Sequence, residues 1–69
     1  MSTDDSVVGK IAYVTQSIGP ERPGEVVVHI RGGTEVYMAV SDRRLERNAE
    51  VLVIGKKSAR TVEVTPFTS

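Results

Sequence analysis

Residues 24–41 read Gly-Glu-Val-Val-Val-His-Ile-Arg-Gly-Gly-Thr-Glu-Val-Tyr-Met-Ala-Val-Ser, two strand-like segments either side of a Gly-Gly pair. Most of their apolar residues are β-branched, which suits a pleated sheet better than a helix. Two strands alone bury too little surface to offset the entropy of ordering them, so further strands must close around such a hairpin. The whole chain has 69 residues, one domain at most and near the lower end of what a hydrophobic core alone supports.

The hairpin's register decides which side chains face inward. A two-residue Gly32-Gly33 loop would pair Val28 with Tyr37 and Val26 with Ala39, setting an aliphatic face against a mixed one. A three-residue loop, Gly32-Gly33-Thr34, pairs Arg31 with Glu35, Ile30 with Val36 and Val28 with Met38. That register segregates the apolar residues and sets opposite charges across the ladder, worth about 0.2–1 kcal/mol per pair. It is the expected one: Val26, Val28 and Ile30 pack with Val36, Met38 and Val40, while His29 and Tyr37 share the other face.

The remaining segments supply the missing strands. Val7 to Gln16 is β-rich, with Gly9 marking a bulge or bend. Ser17 to Gly24 holds two prolines and two glycines in eight residues and reads as a loop. Asp42 to Glu50 is charge-dense with one large apolar residue, Leu45, and predicts a short helical turn ended by Asn48 in the left-handed conformation. Val51 to Gly55 is an apolar strand, Lys56 to Ala59 a basic turn, and Arg60 to Thr65 a strand with Val62 and Val64 inward. Pro66 stops that strand, and Phe67 is expected to plug the barrel end. Five strands at this spacing predict an all-β, OB-fold-like Greek-key barrel over residues 7–67, preceded by a flexible acidic tail at 1–6. An SH3-like barrel shares much of the outline. The long meander of the first three strands, and the lack of a 3₁₀ element before the last, argue against it.

At this point the residues resemble a known family. Val8-Gly9-Lys10, a Pro/Gly loop ending at Gly24, Val26-x-Val28, a glycine turn, Tyr37-x-Ala39-x-Ser41, Leu45, Val51-x-Val53 and Val62-x-Val64-x-Pro66 follow in the order of the NfeD family's C-terminal soluble domain. The resemblance spans about residues 7 to 67. It departs at Ala12, where the family often has glycine, at Asn48, which replaces the usual glycine before the fourth strand, and in a somewhat longer hairpin. It implies an OB-fold interaction module that partners stomatin- or flotillin-like membrane scaffold proteins. It also implies a cytoplasmic setting, either alone or as the soluble domain of a membrane-anchored protein.

The residues carry little else that points to chemistry. There is no cysteine, which removes disulfides, thiolate metal sites and a cysteine nucleophile. His29 is the sole histidine and has no companion ligands or base partners in its pattern, so no catalytic residue, metal site or cofactor is expected. No serine sits in a nucleophile motif, and Gly32-Gly33 lacks the Lys-Ser/Thr and helix of a phosphate loop. Nine basic and nine acidic residues cancel, so there is no global pull toward nucleic acid or anionic lipid. No apolar run approaches the roughly 18 residues needed to span a bilayer. The candidate interaction surface is Tyr13, His29 and Tyr37 with the loop residues Arg22, Lys56, Lys57 and Arg60. The rival reading uses the same basic turn and aromatic rings to hold single-stranded nucleic acid by phosphate contact and base stacking.

Overall fold

The computed structural model describes residues 7–67. The expected tail at 1–6 lies outside the described residues. Five strands form: β1 (Ile11–Gln16), β2 (Gly24–Ile30), β3 (Gly33–Val40), β4 (Glu50–Ser58) and β5 (Thr61–Pro66). They run β1-β2-β3-β5-β4 around a closed barrel, with β4 pairing back onto β1. All pairings are antiparallel except β3 with β5, the parallel contact that makes this an OB-fold barrel.

Valine fills the interior. Val14, Val26, Val28, Val51, Val53, Val62 and Val64 are all buried, and they alternate with outward residues along each strand. A compact side chain with a stiff χ1 suits so narrow a barrel, and each buried valine contributes about 1.5–2 kcal/mol. Ile18 and Leu45 join this core and tie the β1–β2 loop to the β3–β4 connection, each backbone N–H donating to the other's carbonyl at 2.9 and 2.8 Å. Before β1, Gly9 takes φ +91° and donates its N–H to the Val53 carbonyl at 2.8 Å, which pins the leading segment to β4.

The hairpin register differs from the expected one. Val26 pairs with Tyr37, Val28 with Glu35 and Ile30 with Gly33. The loop is therefore Arg31-Gly32, with Gly32 alone at positive φ (+86°), and Gly33 begins β3 as an ordinary strand residue. Every β3 side chain consequently lies on the face opposite to expectation. Ala39 is buried and Tyr37 half-buried, while Val36 and Met38 stand on the outside at 45% and 50% exposure. The cause is space: Ala39 pairs with Gly24 on one side and Val62 on the other, a crossing where a methyl group fits and a methionine would overpack.

Three smaller expectations also change. Residues 41–49 form bends and a turn instead of a helical turn. The Ser41 hydroxyl accepts the Arg43 N–H at 3.2 Å, as an N-cap would, but the Leu45–Ile18 bridge holds the segment extended. Asn48 does adopt the left-handed conformation, φ 75°. β4 runs on through Lys56 and Lys57 to Ser58, so the turn is Ala59-Arg60. Phe67 is 37% exposed and does not plug the barrel; its N–H donates to the Glu50 carbonyl.

Gly24 is the tightest glycine. A Cβ there would land on the carbonyl oxygens of Gln16 and Ser17 and on the Ile18 side chain. Gly33, with open space around it, is its control. Gly24→Ala should lower the unfolding free energy by at least about 2 kcal/mol in urea titration, and Gly33→Ala by less than about 0.5. Equal effects would mean that the β1–β2 loop does not press on β2.

Candidate interaction surface

The seven residues singled out by the sequence fall in three places. Tyr13 on β1 and His29 on β2 meet on the outer wall, their rings edge-on with centroids 6.0 Å apart and planes at 66°. Antiparallel register brings them together: Tyr13 opposes Val27, which leaves His29 one outward position along β2. Both are exposed.

Tyr37 is not beside His29 as expected. The observed register pairs His29 with Thr34 and turns Tyr37 toward the core. Its ring lies under the Arg60 guanidinium, 5.5 Å from the centroid. Arg60 also donates from Nη2 to the Val36 carbonyl at 3.1 Å and approaches Glu35 at 3.7 Å. With its own carbonyl accepting the Met38 N–H at 2.9 Å, Arg60 straps the β4–β5 turn onto β3. Lys57 lies 4.0 Å from Glu63, and Lys56 is half-buried on the same strand.

Arg22 occupies the third place. Two backbone bonds between Gly19 and Arg22, at 2.9 and 3.2 Å, close a tight turn around Pro20 and Glu21. Arg22 and Arg44 border a cleft of about 190 Å³ formed by Ser17 to Pro20, and Arg44 is 3.4 Å from Glu46. The β1–β2 loop thus packs with the β3–β4 connection, while the β4–β5 turn leans on β3.

Two features were missed by the pattern. Val36 and Met38 lie on the outer wall because of the register, and Glu25 and Glu50 lie among them. The signal was ambiguous, since both alternating sets of β3 contain plausible core residues. Among the described residues, no three His, Cys, Asp or Glu side chains gather as a metal site would need. Nor does any buried side-chain nitrogen or oxygen among them lack a partner, so no orphaned polar group marks an internal ligand position.

A closed barrel packed with valine, presenting aromatic, aliphatic and charged side chains on its wall and loops, belongs to the class of small β-barrel modules. The model of the NfeD C-terminal domain matches residues 11–65, most of the chain, and the protein belongs to the NfeD family. Its fold is similar to that of the soluble domain of the NfeD protein YuaF from Bacillus subtilis, with TM-score 0.82 and 28% identity, covering 94% of this chain and 79% of that one. It is also similar to the C-terminal domain of a stomatin operon partner protein from Pyrococcus horikoshii, with TM-score 0.73 and 21% identity over 100% of both chains. No match was found among the curated proteins. Among the described residues, no helix is long and apolar enough to cross a membrane.

The strap at Arg60 is testable by a double-mutant cycle. Arg60→Ala and Tyr37→Leu should show a coupling of about 0.5 kcal/mol in urea unfolding, the range of an exposed cation–π contact. Zero coupling would mean that Arg60 acts through the Val36 carbonyl and Glu35 and not through the ring.

Proposed function

We propose that this domain is a non-enzymatic protein-interaction module that partners a stomatin- or flotillin-like membrane scaffold on the cytoplasmic side. The observation that carries this reading is the NfeD C-terminal domain match over residues 11–65. The archaeal neighbour, a stomatin operon partner protein by name, points to the same kind of companion. Tyr13 and His29 on the wall, with Arg22, Lys56, Lys57 and Arg60 on strand and loop, are the proposed contact residues. Tyr37 supports them from beneath Arg60. The single-stranded nucleic-acid alternative is weakened by the same geometry. Tyr37 is covered and half-buried, and Lys57 lies beside a carboxylate, leaving less stacking surface and less free charge.

The test is binding of the purified domain to the stomatin- or flotillin-like protein of the same cell, followed by interferometry. Saturable binding is expected, and Tyr13→Ala combined with Lys57→Ala should weaken it on the order of tenfold with an unchanged unfolding midpoint. A parallel salt titration with fluorescent single-stranded DNA should show no binding. Affinity for DNA that falls steeply with salt, together with none for the scaffold, would replace this reading with the nucleic-acid one.

A further inference from the structure

Resting on the reading of the domain as a protein-docking module, we infer that the outer wall of β1, β2 and β3 binds an amphipathic helix whose apolar stripe is flanked by lysine or arginine. The wall is continuous by register. Glu50, Tyr13, Val27 and Val36 oppose one another in turn across β4, β1, β2 and β3. Beside that row, Glu25 opposes Met38, and on the other side Ile11 opposes Leu52. Directly opposed residues lie about 5 Å apart, so the aliphatic and aromatic side chains form one patch rather than scattered exposures. Four strand positions span about 14 Å, which accommodates a helix about 10–12 Å wide.

Charge identifies the occupant. β1, β2 and β3 contain no lysine or arginine, and the acidic residues at the patch are Glu25 on β2 and Glu50 at the start of β4. They flank β1 from either side. The Glu25 carboxylate accepts the Thr15 hydroxyl at 3.0 Å, and among the described residues neither carboxylate is ion-paired. A partner that covers the apolar row must meet these two charges, and cations beside its apolar stripe satisfy them. A second copy of the domain, related by a two-fold axis, would bring the same acidic wall to itself.

Strand addition is disfavoured by the barrel's closure. Each strand is paired on both sides over part of its length. The stretch of β3 that extends past its β5 pairing has its Val36 carbonyl occupied by Arg60. Recognition therefore falls to side chains projecting from the wall, the mode by which a helix docks through its apolar face.

Two synthetic peptides with the same leucine stripe, one flanked by lysines and one by glutamates, distinguish these outcomes by amide chemical-shift mapping. The lysine peptide should shift Tyr13, Val27, Val36 and Met38 and bind at least about tenfold tighter than the glutamate peptide. Glu25→Lys with Glu50→Lys should reverse that preference, and Met38→Glu with Val36→Thr should abolish binding. Both sites are about half exposed, and unchanged core amide shifts will report a retained fold. Equal binding of the two peptides, shifts confined to the Arg22 loop or to the end of β4 around Lys57, or a concentration-dependent dimer that buries Met38 would each overturn the inference. The scaffold assay separates the two levels. Scaffold binding unaffected by Glu25→Lys with Glu50→Lys removes the wall but leaves the module reading. Peptide binding at the wall without scaffold binding supports the wall while overturning the choice of partner.

Discussion

The crossing of β2, β3 and β5 governs the rest of the molecule. Ala39 lies there between Gly24 and Val62, and Gly24 itself touches the backbone of the β1–β2 loop. A larger side chain at either position would separate the sheet at the point where its parallel pairing closes it, and overpacking of that kind costs about 1–3 kcal/mol. With Ala39 fixed inward, strand alternation leaves β3 no choice. Tyr37 turns in, Val36 and Met38 turn out, and the hairpin must close at Arg31-Gly32. Steric exclusion at one methyl group thus determines what the outer wall presents.

This explains what was legible in the sequence and what was not. Strand count and approximate limits follow from β-branched runs and their glycine and proline punctuation, and Val62 and Val64 lie inward as their alternation implies. The hairpin register did not follow, because cross-strand matching of Ile30 with Val36 looked favourable when judged within the hairpin alone. The deciding partner, Val62, is distant in sequence. The expected helical turn at 42–50 failed for a related reason. Its helix-forming residues were outweighed by a bridge from Leu45 to Ile18, a long-range contact that local propensity does not contain.

The candidate surface was legible to the same degree. Tyr13 and His29 meet because both lie at outward positions of neighbouring strands, and their parity reads directly from the sequence. Tyr37 changed sides with its strand and became the platform for Arg60. The basic residues that read as one ligand-facing group divide between the β1–β2 loop, the end of β4 and the β4–β5 turn, with separate anchors. Mixed composition hid the aliphatic part of the wall, since Val36 and Met38 resemble core residues wherever their register is unknown.

Exposing aliphatic residues on a β-sheet ordinarily invites pairing and aggregation, which proteins resist by closing or charging sheet edges. This barrel uses both devices. Closure pairs every strand on both sides over part of its length, and beyond the β5 pairing Arg60 lays its guanidinium on the carbonyl of Val36, one of the exposed aliphatic residues. The Val36 carbonyl and the Met38 N–H are thereby occupied while the side chains stay accessible. Glu25 and Glu50 add charge to the wall and raise the desolvation cost of any neutral partner that covers them. An apolar surface so arranged is guarded against indiscriminate strand pairing and open to recognition by side-chain pattern and charge, a form of discrimination that an open sheet edge would not provide.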